Sequence, residues 1–493
     1  VALVLSVLGP ARARAQLPGG ATPPEPYRHA GRWITDATGR VLIPRGVNMV
    51  VKLPPNTPAF AGFGEKDAAL LSREGFNVVR VGVIYAAVEP APGVYNDAYL
   101  RSIRSTVALL HRYGIMSVID FHQDLWGTAF NSEGFPQWAT LTDGQPTRPL
   151  YGLPDGYFKV PGLQKAFDHF WANTPGPGGV GIQDRYAAAW AHTARFLKET
   201  PGILGWELLN EPFPGSDWPK FVAPPWDPEA DADRLTGFSR RILRAIRTAD
   251  TNHIVWYEPW ITYDLGAPTY HGRLDDPRVG FAFHNYISLA STPWPYIQAV
   301  EHSEKTGAAL LATEFGAIDD PAVVVEQMNL ADRFMMPVIY WAYWDRTPYL
   351  TSNGLVSGGY GEAQSLVQNL KLPLLPGNVN EAKLGALVRA FPRAVAGTPL
   401  WWSYDPGNQV FELVYRTAAA RGLPPLARDA ETEIFVPARH YPQGYTAAVT
   451  GAKIVSEPHA PLLRLVNAPR AAQVTVRVVP KPGRSSDRHG HGR

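Results

Sequence analysis

Eight short, apolar, β-rich runs separated by helical stretches constrain this 493-residue chain more than any other feature. The runs are VLIPRGVNMV (41–50), NVVRVGVI (77–84), MSVIDFH (116–122), ILGWELLN (203–210), HIVWYE (253–258), VGFAFHNY (279–286), ALLATEF (309–315) and VIYWAYW (338–344). Amphipathic patterns at 97–113, 184–199, 229–249 and 321–335 fall between them. Strands that are apolar throughout and joined by helices are buried on both faces, as in a parallel sheet. Eight strand–helix repeats are expected to close that sheet into an α/β (β/α)8 TIM barrel.

The pattern changes after about residue 390. FELVYR (411–416), TEIFVP (432–437), YTAAVTG (445–451), LLRLVN (462–467) and QVTVRVVP (473–480) are short alternating runs with turn residues between them and no long helix. They predict a C-terminal antiparallel β-sandwich packed on the barrel. FPRAVAGTP (391–399) is expected to join the two. The expected division is therefore a barrel over 31–390, a sandwich over 391–482, an extended Pro/Gly-rich segment over 16–30 and a disordered tail over 483–493. The basic residues of that tail (RSSDRHGHGR, 484–493) suit a solvated end better than a metal or polyanion site.

VALVLSVLG (1–9) is too short to span a bilayer, and the ARARA that follows ends in an A-x-A-like site before Gln16. Residues 1–15 thus read as the remnant of a secretory signal, and the mature chain is expected outside the cell. No other stretch is long and apolar enough for a transmembrane segment. The formal net charge of +2 supplies no field to recruit nucleic acid. Without cysteine, thiol catalysis, disulfides and thiolate–metal centres are excluded.

Catalytic groups of such barrels stand at the C-terminal ends of the strands. Arg80 lies on the second strand. Asp120, His122 and Asp124 belong to the end of the third, Asn210 and Glu211 to the fourth, and Glu258 to the fifth. His284 and Tyr286 end the sixth, Glu314 the seventh and Trp344 the eighth. A ring of polar groups at one end is hard to explain by packing. Glu211 and Glu314 come from strands on opposite sides of the barrel, as glycoside hydrolysis requires of two carboxyl groups flanking a scissile bond. Glu211 is assigned as acid/base and Glu314 as nucleophile, with Tyr286 or Arg80 holding Glu314 ionised. Asn210 is placed to bind the sugar 2-hydroxyl. His122 and His284 are read as sugar contacts rather than metal ligands, since they follow different strands and no HExxH motif is present. Trp344 is the expected sugar platform and Trp341 its close competitor. A non-catalytic sugar-binding barrel would have lost one carboxylate, and both are present.

LNEP (209–212), ATEFG (312–316), NVVRVG (77–82), HNY (284–286) and WAYW (341–344), in this order, resemble glycoside hydrolase family 5. RGVNMVVK (45–52), VEPAPGVYND (88–97), DFHQDLWG (120–127), PQWATLTDG (136–144), VPGLQKAFDHFW (160–171) and PRAVAGTP (392–399) resemble its endoglycoceramidases, including endogalactosylceramidase-like relatives. The resemblance runs from about residue 30 to residue 480. It implies a retaining hydrolase that needs no cofactor or metal and cuts between the reducing-end sugar and ceramide of a glycosphingolipid presented in a micelle or at a membrane surface. It also implies sugar-binding roles for Lys52, His122, Asp124, Trp171, Asn210 and Trp344, and makes Tyr286 the aromatic partner of the nucleophile. The alternative is a family 5 endoglucanase-type polysaccharidase. Two long segments, 123–175 and 345–380 (the latter with PYL and LKLPLLPG), are expected to shape access for lipid.

Overall fold

The computed structural model describes residues 18–221, 224, 231–286, 292–345 and 364–482. The signal-like segment, the basic tail and the PYL motif lie outside these. The eight expected runs form one closed parallel barrel, in chain order around the ring: Arg45–Met49, Val78–Ile84, Met116–His122, Ile203–Glu207, Ile254–Tyr257, Val279–Asn285, Ala309–Gly316 and Val338–Trp341. All eight are buried along their whole length, which is why they read as unbroken apolar runs. The four helical patterns correspond to Asp97–Arg112, Ile182–Leu197, Thr236–Arg247 and Pro321–Arg333. Trp256 fills part of the barrel interior. A side chain at Gly205 or Gly280 would come within 2.4 or 2.1 Å of its ring, so these strands need glycine there.

The run 41–50 does not form one strand. Val41–Leu42 belongs to a seven-stranded antiparallel sheet, and only Arg45–Met49 enters the barrel. Pro44 stands between them; it lacks an N–H and gives only its carbonyl, which Val338 N–H reaches at 3.1 Å. Nor is 391–399 a simple connection. Phe391–Val395 is an inner strand of the seven-stranded sheet, between Val41–Leu42 and Glu431–Phe435. Thr398–Asp405 begins the second, four-stranded sheet.

The N-terminal segment also does more than run along the surface. Arg28–Ala30 and Trp33–Thr35 pair as a hairpin at the edge of the seven-stranded sheet. Tyr27, Ile34 and Leu42 pack in one cluster with Val78, Met116 and Trp256 and close the floor of the barrel. The sandwich is joined to the barrel by Asp332, a buried carboxylate that accepts from Arg45, from Arg389 Nη1 at 2.8 Å and from Trp402 Nε1 at 2.7 Å. With the floor sealed by apolar side chains, the polar groups collect at the opposite end.

Candidate active site

Arg80, fully buried on the second strand, organises that end. Its Nε donates to Glu207 Oε2 at 2.6 Å, its Nη2 to Asn210 Oδ1 at 2.8 Å, and its Nη1 to Asn48 Oδ1 at 3.1 Å and to Glu314 Oε1. Asp120 and Glu258 stand 3.2 and 3.3 Å from Nη2. One guanidinium cannot balance four carboxylates. Burial, reinforced by Glu207, holds the Glu258 carboxyl well above its ordinary range. Glu207 and Asn48 went unread in the sequence, although Glu207 keeps the two-residue rhythm of inward positions on its strand.

Glu211 follows the fourth strand with φ of +44°, a left-handed conformation that favours glycine. Its N–H donates to Glu258 Oε2 at 3.0 Å, and Gln123 Nε2 donates to its carbonyl at 3.0 Å. The side chain is thereby turned toward Glu314: one oxygen of each carboxylate and a ring nitrogen of His284 lie within 4.8 Å of one another. Burial, with Asp124 adding to it, pushes Glu211 up to about 7. Burial also raises Glu314, but His284 and Arg80 oppose it, and Tyr286 donates to its Oε2 at 2.6 Å. Each Glu314 oxygen thus has a donor that favours the anion. His284, drawn down to about 4 by burial, places Nδ1 2.9 Å from Glu211 Oε1 and 3.6 Å from Glu314 Oε2. Gly316, at φ +101°, ends the Glu314 strand where a Cβ would meet the Tyr340 ring at 2.5 Å.

On one side of the pair, Lys52 Nζ donates to Asp124 Oδ2 at 2.5 Å and lies 4.6 Å over the ring of Trp341. The Trp341 ring stacks on His122 at 5.5 Å. Burial pulls the His122 ring down, but Asp120 at 2.7 Å and Asp124 outweigh it, and the ring is pushed up to about 10. Burial, with Asp124 adding to it, outweighs Lys52 and pushes Glu133 up to about 8. Three groupings of described residues have the reach to hold a cation: His122–Asp124–Glu133, Glu207–Glu258–His284 and Glu211–His284–Glu314. Each already faces one, Lys52 in the first case and Arg80 in the other two.

A cavity of about 350 Å3 opens over the pair. Lys52, His122, Asp124, Glu211, Tyr286 and Glu314 line it, with Trp341 beside them. Apart from Asp264, Asp345 and Gln364, apolar side chains make up much of the remaining lining: Leu153, Pro154 and Phe158 from the segment after the third strand, Ile261 and Leu265 from that after the fifth, Ile318 from that after the seventh. Lys52 is shared with a neighbouring cavity of about 680 Å3, where Asn56, Asn96, Ser102 and Asn131 supply polar groups.

Three expected sugar contacts are not among the residues that line the cavity. Among the described lining residues Trp344 does not appear; the eighth strand ends at Trp341, and Trp344 packs on the main core. Trp171 is not a wall residue either. Its Nε1 donates to the Phe213 carbonyl at 2.7 Å and its ring packs edge-on to Trp260, so it braces the turn carrying Glu211. Asn210 accepts from Arg80 at Oδ1 and donates from Nδ2 to the Gln123 carbonyl at 2.9 Å. Asp264, missed in the sequence, lines the cavity with a side-chain hydrogen bond to Glu211. Burial and the neighbouring Glu211 hold its carboxyl well above the ordinary range.

Residues 56–348 match the family described as cellulase (glycosyl hydrolase family 5), and residues 389–478 match the glycoside hydrolase family 5 C-terminal domain. The chain belongs to glycoside hydrolase family 5. This family 5 hydrolase is 31% identical to endoglycoceramidase I of Rhodococcus hoagii (strain 103S), over 93% of its own length and 89% of the relative's. It is similar to endo-glycoceramidase II from Rhodococcus sp. solved as a lactosyl-enzyme intermediate, with 26% identity, a TM-score of 0.71, and coverage of 91% of this chain and all of that one. The same enzyme solved as a ganglioside GM3 complex matches with 25% identity and a TM-score of 0.69, over 91% of this chain and 99% of that one.

Proposed function

We propose that this family 5 hydrolase cleaves the bond between the reducing-end sugar and ceramide of glycosphingolipids, with retention, releasing the oligosaccharide intact. The observation that carries the reading is a close carboxylate pair in a cavity whose lining combines polar groups with a run of apolar side chains. A retaining glycosidase needs carboxyl groups about 5 Å apart, one a proton donor and the other an anion. Glu211, with its raised pKa, gives its proton to the glycosidic oxygen as Glu314 attacks the anomeric carbon and ceramide departs along the Leu153–Phe158–Leu265 wall. Glu211, now a carboxylate, then takes a proton from the water that releases the glycan from Glu314. Lys52, Asp124, His122 and Trp341 hold the sugar being cut, and the adjoining polar cavity receives sugars beyond it.

An apolar wall beside the carboxylate pair disfavours a polysaccharidase, whose cleft must bind sugar on both sides of the cut. The relatives named endoglycoceramidase support the same choice. Export from the cytoplasm fits the apolar 1–9 run and the A-x-A site, and no helix among the described residues is long and apolar enough to cross a membrane. The decisive experiment is a product assay on detergent-dispersed glycosphingolipids. Intact oligosaccharide and ceramide are expected. Faster cleavage of cello- or manno-oligomers, with no ceramide released, would overturn the reading.

A further inference from the structure

The apolar wall of the cavity continues outward. Leu265 lines the cavity and yet is 60% exposed. Trp294, 45% exposed, is tied to the same corner by a hydrogen bond from its Nε1 to the Gly266 carbonyl at 3.1 Å. The segment after the eighth strand exposes Leu372 (51%) and Leu375 (62%), and the segment after the first exposes Phe60 (61%). These two segments are joined. Lys66 donates to the Leu370 and Leu372 carbonyls, and the Lys371 ammonium lies 5.5 Å over the Phe60 ring.

The fifth, sixth, seventh, eighth and first strands are consecutive neighbours around the closed barrel. Leu265, Trp294, Ile318, Leu372, Leu375 and Phe60 therefore form an arc on adjacent segments at the catalytic end. Isolated exposed apolar side chains are ordinary on a soluble protein; a set on adjacent segments, two of which, Leu265 and Ile318, also line the cavity, is not. Among the described residues, the connections that lead from a helix back into a barrel strand expose one large apolar side chain, Tyr270, at 38%.

Resting on the glycosphingolipid reading above, we propose that this arc docks on a lipid–water surface. Trp294, Leu265, Leu372, Leu375 and Phe60 enter its apolar side, and Lys66 and Lys371 stand at the level of the headgroups. The ceramide of a membrane-held substrate then slides along Leu265 to the carboxylate pair without crossing water. The gain is the hydrophobic free energy that extraction of the lipid into water would forfeit.

The test uses the full chain and phosphatidylcholine vesicles, with and without phosphatidylserine and free of glycolipid. The wild type is expected to co-sediment with them, more strongly when phosphatidylserine is present. A variant carrying Phe60→Ser, Trp294→Ser, Leu372→Asp and Leu375→Asp is expected to bind more than about tenfold more weakly. It should lose turnover of vesicle-embedded glycosphingolipid to a similar extent, yet hydrolyse a soluble aryl β-glycoside as the wild type does, which also shows that it is folded. Equal vesicle binding by the two proteins, or no binding by a wild type that cleaves detergent-dispersed glycolipid, would overturn the docking surface alone. If detergent-dispersed glycolipid is not cleaved either, the substrate reading fails, whatever the vesicles show. Should the quadruple variant not fold, Lys371→Glu with Trp294→Ser gives the same comparison.

Discussion

Tyr286 donates its hydroxyl hydrogen to Glu314 Oε2 across 2.6 Å, and the oxygen it meets is the one that Arg80 leaves open. Hydrogen bonds to a charged acceptor contribute about 1.5–3 kcal/mol. Tyr286→Phe, which keeps the ring, is therefore expected to lower kcat about 10- to 100-fold with little change in thermal stability. Steady-state kinetics on detergent-dispersed glycolipid would check this; a loss below about threefold would show that the hydroxyl does not hold Glu314, the proposed nucleophile.

Removing Glu211, the proposed acid/base, should separate substrates by leaving group. Glu211→Ala is expected to cut glycolipid turnover about 10^2- to 10^4-fold, because ceramide leaves poorly without a proton. An aryl glycoside with a strongly acidic phenol needs no such help, so its first step should stay near the wild-type rate and the phenol should appear as a burst. Equal losses on both substrates would remove Glu211 from the acid role.

Glu211 is raised to about 7 from an ordinary value of 4.5. The acid form is present below about pH 7 and is lost as pH rises through it, so kcat/KM should fall on the alkaline side with a midpoint near 7. The sign for stability is the same. Between pH 4.5 and 7 the folded state binds the Glu211 proton more tightly than the unfolded chain does. Folding therefore loses stability as pH rises through that window. Glu133 extends the effect to about pH 8. Urea denaturation across this range should show Glu133→Gln losing less stability on the alkaline side than the wild type; parallel curves would mean that the carboxyl is not held protonated.

The platform residue can be decided by a pair of variants. Trp341→Ala removes an indole stacked on His122 and beneath Lys52, and a sugar-facing aromatic of this kind contributes about 2 kcal/mol. A fall of about 30-fold in kcat/KM is expected, against less than about threefold for Trp344→Ala. The reverse order would restore Trp344 as the platform.

Asp332 predicts a purely structural effect. Asp332→Ala leaves Arg45 and Arg389 buried together without their anion and strands the Trp402 N–H, a cost of about 3–5 kcal/mol. Chemical denaturation should show that loss, with kcat at low temperature unchanged. A loss under about 1 kcal/mol would mean that the sandwich is held mainly by apolar packing.

The sequence by itself determined the eight barrel strands, the antiparallel character of the second domain and the two glutamates at strand ends. Each rests on a local regularity: a fully buried strand is apolar along its length, and a catalytic group must stand where a strand delivers it. Only the tertiary structure places Trp341 in the lining of the cavity, since that depends on where the eighth strand ends. It also set Trp171 against the Phe213 carbonyl and Asn210 against Arg80, joined Asp264 to Glu211, and put 28–42 and 391–395 in one sheet. These relations set residues far apart in the chain side by side, where burial and neighbouring charge, absent from any local pattern, govern what each side chain can do.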